Sequence, residues 1–136
     1  DESVTFAGPL WGDEKSAAYA NADAFVLPSR SEGLPMTVLE AWSHRKPVLL
    51  TPACHLPEGP AAGAALEVEP TITDLSRGLH ALAIMTDEQR QQMGRAGRLL
   101  VERRFTWARV AADLTRVYDS VVARKPLPPD LAFTEN

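Results

Sequence analysis

The stretch SEGLPMTVLE, residues 31–40, contains two glutamates, Glu32 and Glu40, with seven residues between them. The apolar run Ala24–Pro28 ahead of it is typical of a short buried strand. The segment Met36–His44 after it has the apolar spacing of a helix. The pattern therefore predicts a strand-to-helix junction, with Glu32 at the C-terminal edge of a sheet and Glu40 in the helix. Open α/β sheets bind their ligands at this edge.

Length, composition and charge narrow the classes of protein to consider. The chain has 136 residues, 45% of them apolar, which is enough for one domain with a core. Its net charge of −4 argues against nucleic acid as the main partner. No run of eighteen apolar residues occurs, and no signal peptide precedes Val4. The single cysteine, Cys54, excludes an internal disulfide and favours a reducing, cytoplasmic compartment.

The first half of the chain alternates predicted strands with predicted helices. The expected order is a strand at Val4–Gly8, a helix at Glu14–Asn21, a strand at 24–28, a helix at Met36–His44, a strand at Pro47–Leu50, an irregular loop at 52–63 and an edge strand at Ala65–Val68. This order implies parallel strands with right-handed crossovers. A complete doubly wound domain has about five or six strands. We therefore expect the chain to lack the first part of its domain.

The second half is predicted to be helical. A helix is expected at Asp74–Ile84, and a capping box at Thr86–Gln89 opens another that runs to about Arg104. Thr106 is expected to cap a last helix with an apolar stripe, which predicts that Trp107 and Tyr118 are core residues. Residues 123–136 are rich in proline and lack periodicity, which indicates a linker or flexible tail.

The start of the helix after Pro35 offers an anion site. Its free backbone N–H groups and its dipole attract an anion such as phosphate, and a proline costs nothing at a helix start. Glu32 is placed to accept hydrogen bonds from hydroxyls, and Glu40 would hold another hydroxyl about 6–9 Å along the helix. Two such acceptors beside an anion site suit a sugar joined to a phosphorylated nucleoside. The alternative is that both glutamates are merely solvated surface residues.

The motif and its flanks resemble a known family. The motif resembles a signature of retaining glycosyltransferases of the GT-B fold, family 4 (group 1), in which seven residues lie between two glutamates. The segments that carry the resemblance are FVLPS at 25–29, SEGLP at 31–35 and VLEA at 38–41. The likeness covers roughly residues 3–122, because further segments match in order: VTFAG at 4–8, ANAD at 20–23, KPV at 46–48, MGRA at 93–96 and RFTW at 104–107.

The resemblance implies a fold and a set of site residues. It implies an α/β fold, a partial Rossmann-like parallel sheet flanked by helices, with residues 1–122 as the latter part of a truncated C-terminal donor-binding domain. By position, Glu32 is the catalytic residue that contacts the hydroxyls of the donor sugar, and Glu40 binds the ribose. The implied contacts to the diphosphate, the sugar and the base come from backbone groups of Gly33, Leu34, Met36, Thr37 and Leu10.

The resemblance also implies partners. The donor would be a nucleotide-diphosphate sugar, with no cofactor and no metal, and the acceptor would be a saccharide, a lipid-linked glycan or a small molecule. An arginine and a lysine that balance the diphosphate charge in the family have no counterpart here, and the N-terminal domain is missing. We therefore expect the isolated chain to be inactive. A cytoplasmic location is expected, with peripheral contact at the inner face of the membrane as an alternative.

This chain departs from the family pattern after the motif. Ser43-His44-Arg45 stands where a small residue and a glycine are usual, so Arg45 is expected to be strained or the helix to end differently. Trp42 is bulky for its position. The loop at 51–59 lacks the usual glycine-rich opening, so we expect it to set specificity differently.

Several other residues are candidates for a functional site. His44, Cys54 and His55 lack the spacing of a zinc site, although His55 would suit the acceptor side of a cleft. Arg30 would be either a phosphate contact or a solvated loop residue. Four arginines form a basic helix face: Arg95, Arg98, Arg103 and Arg104. This face is expected to be solvated, and the alternative is that it contacts a membrane surface.

The sequence therefore predicts a glycosyltransferase fragment that binds a nucleotide-sugar donor, whose full-length enzyme transfers the sugar with retention of configuration. Two alternatives stay open. One is another GT-B enzyme, an epimerase or a phosphorylase. The other is a non-catalytic nucleotide-sugar-binding or assembly module that keeps the fold.

Overall fold

The computed structural model describes residues 3–132. A three-stranded sheet is built from β1 (Phe25–Leu27), β2 (Val48–Leu50) and β3 (Ala65–Glu67). The helices are α1 (Gly12–Asn21), α2 (Met36–Ser43), α3 (Glu58–Ala61), α4 (Ile72–Ile84), α5 (Asp87–Arg104) and α6 (Trp107–Val122). A turn of 3₁₀ helix covers Pro52–Cys54. Strands and helices alternate in the first half, and helices follow one another in the second.

The sheet is parallel throughout, with β2 in the centre. Its order is β1-β2-β3, and Phe25 pairs with Val48, which pairs with Ala65. All three residues of β2 are fully buried, because this strand has a neighbour on each side and helices over its faces. The predicted α/β class, a partial Rossmann-like parallel sheet flanked by helices, is confirmed.

The core lies where α2 packs against β1 and β2. One side of α2 is apolar at helical spacing, and its buried residues are Val38, Leu39, Ala41 and Trp42. Trp42 is fully buried, and its Nε1 donates a hydrogen bond of 3.0 Å to the carbonyl of Ala64. The indole is thus both packed and satisfied, so the bulky residue is part of the core.

Three glycines make room for Trp42 and for the end of α2. A Cβ at Gly59 would lie 2.8 Å from the Trp42 ring, and one at Gly97 would overlap it. A Cβ at Gly94 would overlap the backbone carbonyl of Arg45. Residues 94–97 of α5 therefore approach the C-terminal end of α2 more closely than any side chain would permit.

The end of α2 is a Schellman motif with an arginine at the left-handed position. Arg45 has φ 57°, and its N–H bonds to the carbonyl of Trp42 while that of Lys46 bonds to Ala41. Arg98 Nη1 donates a further hydrogen bond of 2.9 Å to the carbonyl of Ser43. The expectation of strain at Arg45 is met, since non-glycine residues pay for this conformation.

The chain divides into two compact units at Leu100, and α6 belongs to the second. Thr106 caps α6 by accepting a hydrogen bond from the N–H of Arg109, as expected. Further on, Arg116 donates two hydrogen bonds of 2.8 Å to Asp130. This pair ties part of the predicted tail to the helix; residues 133–136 of that tail lie outside the described part.

The prediction that Trp107 and Tyr118 are core residues is wrong. They are 88% and 63% exposed, and no residue of α6 is buried. An apolar stripe is buried only where another element covers it, and the pattern alone does not show which element that would be.

Two other predictions in the first half need correction. Val4–Gly8 forms no strand, and Phe6 is 95% exposed. A strand needs a hydrogen-bonding neighbour, and this segment has none within the described residues. The loop at 52–63 is not wholly irregular, since it contains the 3₁₀ turn and α3. The capping box at Thr86 and Gln89 is confirmed by its reciprocal hydrogen bonds of 3.2 and 2.9 Å.

Candidate functional site

The loop between β1 and α2 carries the first glutamate at the C-terminal edge of the sheet. The N–H of Glu32 donates a hydrogen bond of 3.1 Å to the carbonyl of Ala53, in the loop after β2. Its side chain accepts one of 2.6 Å from the hydroxyl of Ser29. Glu32 is half-buried, so its carboxylate keeps an open side toward solvent. The loops after β1 and β2 thus fix the position of Glu32 jointly.

The loop after β2 is anchored beneath Glu32. The hydroxyl of Thr51 donates a hydrogen bond to the carbonyl of Ser29. Cys54 is fully buried, and its thiol lies 3.7 Å from the carbonyl of Leu27, at the end of β1. Both contacts fasten the 3₁₀ turn to β1, which fixes the carbonyl of Ala53 that receives the Glu32 amide.

The start of α2 presents unpaired backbone donors. Pro35 precedes the first helical residue, Met36, and no side chain caps the helix. Four backbone N–H groups around this helix start have no acceptor within residues 3–132: those of Gly33, Leu34, Met36 and Thr37. A Cβ at Gly33 would meet open space. The four predicted donor-binding amides are therefore free to bind an anion.

Glu40 lies in the middle of α2 and faces α1. Lys15 Nζ is 2.7 Å from its Oε1, and the Tyr19 hydroxyl is 3.1 Å from its Oε2. The Glu40 side chain is 33% exposed, so the carboxylate still meets solvent. Burial raises the pKa of Tyr19 to about 12, and the hydrogen bond to Glu40 and the charge of Glu40 act in the same direction. Tyr19 therefore stays a protonated donor at neutral pH.

Leu10 lies close to the partners of Glu40. It is half-buried in the segment before α1 and lines an open, mostly apolar pocket of about 330 Å³. Lys15, Tyr19 and Phe25 line the same pocket. The structure thus brings Leu10 to the side of α1 that also holds Glu40. Glu32 and the free amides lie at the other end of the motif, around the start of α2.

The remaining candidates lie in three different environments. Arg30 is exposed, and His55 is exposed in a left-handed conformation with φ 52°. His44 stacks on Tyr19 with ring centroids 5.4 Å apart. Among residues 3–132 no three His, Cys, Asp or Glu side chains form a group able to hold a metal ion.

A larger surface pocket of about 380 Å³ lies beside β3 and α4 and includes none of the predicted site residues. Glu67, Glu69 and Asp74 line it, and Asp74 pairs with Arg77 at 3.2 Å. The charged residues of its lining are mainly acidic, which does not suit an anionic ligand. We therefore place the candidate site at the start of α2.

Sequence reasoning missed Lys15 and Tyr19. Tyr19 stands four positions after Lys15 in the sequence, so they share one face of α1. That spacing was visible in the sequence, but nothing in it showed that this face meets Glu40. The contact between α1 and α2 is made only in the folded chain.

Comparisons with known proteins point to one family. The model of the family described as glycosyl transferases group 1 matches residues 1–100. The chain is 49% identical over 55 residues to sulfoquinovosyl transferase SQD2 of Arabidopsis thaliana, covering 40% of this chain and 11% of that protein. It is 30% identical over 130 residues to the D-inositol 3-phosphate glycosyltransferase of Stackebrandtia nassauensis, covering 94% of this chain and 29% of the relative.

Solved structures show the same fold. Sucrose-phosphate synthase from Thermosynechococcus elongatus superposes with a TM-score of 0.75 at 24% identity, covering 91% of this chain and 31% of that one. The chain spans about a third or less of the curated relatives it matches. Within residues 3–132, no helix combines the length and the apolar character needed to cross a membrane.

Proposed function

Because the chain belongs to the family of glycosyl transferases group 1, we propose that it is the latter part of a domain that binds a nucleotide-diphosphate sugar. In the full-length enzyme this domain would supply the donor for transfer of the sugar to an acceptor. The observation that carries the proposal is the set of free amides at the start of α2, between two carboxylates of different environment.

Each group at the site has one role in this proposal. Glu32, beside the start of the helix, accepts hydrogen bonds from hydroxyls of the donor sugar. The amides of Gly33, Leu34, Met36 and Thr37 bind the diphosphate, where the positive end of the helix dipole adds to them. Glu40 accepts hydrogen bonds from the ribose. The backbone at Leu10 contacts the base.

The proposed reaction retains the configuration of the sugar. As the bond between the anomeric carbon and the diphosphate oxygen breaks, its electron pair moves to the diphosphate. A new bond forms between the anomeric carbon and the hydroxyl oxygen of the acceptor, and the proton of that hydroxyl passes to the departing diphosphate. Amide donors stabilise the negative charge that develops there, and they need no reorganisation because the helix already fixes them. A preceding part of the protein would add cationic side chains to the diphosphate and an acceptor-binding face. No metal or cofactor is needed for this chemistry.

The acceptor is proposed to be a saccharide, a lipid-linked glycan or a small molecule, and the location to be cytoplasmic. Of the relatives, one is named for a mannosyltransferase activity and another for transfer to D-inositol 3-phosphate. These names differ in sugar and acceptor, so we extend neither to this chain. What the proposal takes from the relatives is the transfer of a glycosyl group, which their names share.

Nucleotide titration of the full-length protein tests this proposal. UDP, GDP and ADP would be titrated by calorimetry into wild type, into Glu40→Ala and into Glu69→Ala, a control with an exposed glutamate away from the site. We expect wild type and the control to bind one of the three nucleotides alike. Glu40→Ala should bind it about tenfold more weakly, because a hydrogen bond to a charged group is lost.

The outcomes separate the candidate functions. Binding without transfer or hydrolysis of any nucleotide sugar favours a non-catalytic module. Release of a free sugar epimer or consumption of phosphate favours an epimerase or a phosphorylase of the same fold. Absence of binding to all three nucleotides contradicts the proposal.

A further inference from the structure

The carboxylate of Glu40 is held from the neighbouring helix by two side chains. Lys15 contacts one oxygen at 2.7 Å, and the hydroxyl of Tyr19 donates to the other at 3.1 Å. This is the shorter of two contacts of the hydroxyl, since the carbonyl of Thr37 lies 3.3 Å from it. Each oxygen therefore has one donor of its own. Because the two donors stand on one face of α1, they fix both the position of the carboxylate and the plane in which its oxygens lie.

The ring of Tyr19 is itself held in place. On one side it stacks on His44, with ring centroids 5.4 Å apart and an interplanar angle of 17°. The ring of Phe25, at the start of β1, lies 5.7 Å away at 51°. Aromatic contacts of this geometry restrict the ring to one orientation. The hydroxyl of Tyr19 is therefore aimed at Glu40 by groups from α2 and β1.

The contacts leave Glu40 free to bind a ligand. An ionised carboxylate accepts about four hydrogen bonds, and Lys15 and Tyr19 use two of them. The remaining lone pairs belong to a side chain that is one-third exposed. Two vicinal hydroxyls would find one available acceptor on each oxygen. Lys15 also balances the charge of Glu40 through their ion pair.

We propose that Lys15 and Tyr19 are positioning residues, which preset the Glu40 carboxylate for the 2′- and 3′-hydroxyls of the donor's ribose. The inference rests on the proposed function, since it assigns the partners that the ribose-binding carboxylate requires. Neither residue touches the reacting atoms. Both act by removing the cost of ordering Glu40 when the nucleotide binds.

The test compares ribonucleotides with nucleotides that lack the diol. UDP, GDP and ADP, and their 2′,3′-dideoxy counterparts, would be titrated into the full-length protein by calorimetry. The variants are Tyr19→Phe and Lys15→Met, which keep the ring and most of the side-chain length. Tyr118→Phe and Lys125→Met, at exposed positions of the second unit, are the matched controls.

We expect wild type and controls to prefer the ribonucleotide over its dideoxy counterpart. Tyr19→Phe and Lys15→Met should each weaken ribonucleotide binding about three- to tenfold, the range for one hydrogen bond. The dideoxy affinity should stay unchanged, because Glu40 has no diol to bind there. A general structural effect would instead weaken both nucleotides equally, and circular dichroism would show whether the variants fold.

Each other result overturns the inference in a distinct way. If wild type prefers the ribonucleotide and both variants keep that preference in full, the inference fails and the proposed function stands. If Lys15→Met binds the ribonucleotide more tightly, Lys15 competes with the ribose. Should wild type bind none of the three ribonucleotides, the proposed function and the inference fail together.

Discussion

Arg45 stands at a backbone position that favours glycine. Its φ of 57° belongs to the left-handed region, and the two hydrogen bonds of the Schellman motif require that conformation. A side chain costs about 1–2 kcal/mol there. The side chain is exposed, so it gains little from packing in return.

We predict that Arg45→Gly stabilises the chain. The free energy gained by removing the side chain from a left-handed residue exceeds the entropic cost of glycine. That cost, about 0.4–1 kcal/mol, arises because glycine is more flexible in the unfolded state. The free energy of unfolding should rise by about 0.5–1 kcal/mol, measured by urea denaturation. Arg45→Ala removes the same side chain but keeps the Cβ, so it should give no gain. An equal gain for both variants would show that the side chain, not the backbone, is unfavourable.

The pKa of Tyr19 predicts how stability changes in alkaline solution. The folded value is about 12 and the ordinary value is 10.0, so the unfolded chain ionises first as pH rises. The contribution of Tyr19 is therefore complete below pH 10 and is lost as the pH rises from 10 towards 12.

Urea denaturation at pH 9, 10 and 11 measures this loss. Wild type should lose more stability over that range than Tyr19→Phe, which has no phenol at this position. In Tyr118→Phe, where Tyr19 is the remaining tyrosine, absorbance at 295 nm should show an ionisation midpoint near pH 12. Parallel loss of stability in wild type and Tyr19→Phe would contradict a raised pKa of Tyr19 in the folded chain.

At the scale of the elements, the fit of α5 against α2 depends on two glycines in successive positions of one face. Gly94 meets a backbone carbonyl, which cannot move aside without breaking the end of α2. Gly97 meets the indole of Trp42, which is fixed by its hydrogen bond to Ala64. The bulk of Trp42 is thus accommodated by the absence of side chains on α5.

We predict that Gly94→Ala and Gly97→Ala both destabilise the chain. Overpacking costs about 1–3 kcal/mol, and we expect Gly94→Ala at or above the upper end because its obstacle is backbone. Gly33→Ala is the control, since its added methyl group meets open space. Urea denaturation compares the three variants. Equal stability of Gly94→Ala and Gly33→Ala would show that α5 does not pack on α2 in this way.

Two tryptophans give a second contrast between elements. Trp42 is fully buried on α2, and Trp107 is 88% exposed on α6. We predict that Trp42→Ala lowers the free energy of unfolding by about 3–5 kcal/mol. Trp107→Ala should change it by less than about 0.5 kcal/mol. Urea denaturation of the 136-residue chain measures both, and a large loss for Trp107→Ala would show that α6 is covered in solution.

The sequence predicted some elements well and others poorly for physical reasons. The alternation from β1 to β3 was predictable because short apolar runs and glycine–proline turns are local signals. Val4–Gly8 carries the same signal, but its alternation supplies no neighbouring strand. The stripe on α6 shows the same limit, since a pattern identifies an apolar face without identifying what covers it.

The candidate site was also predictable only in part. The free amides follow from the helix start, which the order of glycine and proline marks. The partners of Glu40 cannot be predicted in this way, because Lys15 and Tyr19 lie on another helix. The fit of Gly94 against Arg45 and of Gly97 against Trp42 was not predictable either, since that requires knowing which helices touch.

At the scale of the whole molecule, the chain is expected to hold only one side of a transferase site. The described residues around the start of α2 provide amides and carboxylates, and Arg30 is an exposed cation nearby in the sequence. A leaving diphosphate carries more negative charge than amides alone balance. The acceptor also needs a facing surface.

We therefore predict no glycosyl transfer by the 136 residues alone. Labelled UDP-glucose, GDP-mannose and ADP-glucose would be incubated with the chain and with a panel of saccharide acceptors, and the products separated by chromatography. The full-length protein under the same conditions is the positive control. Transfer by the 136-residue chain above the buffer background would contradict the prediction.

The buried thiol of Cys54 can be used to measure how often the loop around it opens. It is the single cysteine of the chain, and it is sealed beneath the loop whose carbonyl at Ala53 receives the amide of Glu32. An alkylating reagent can reach it only when that loop lifts from β1, so its labelling rate counts loop openings. A nucleotide that tightens the loop around Glu32 would slow labelling. The labelling rate of Cys54 therefore reports the motion of the loop that contacts Glu32.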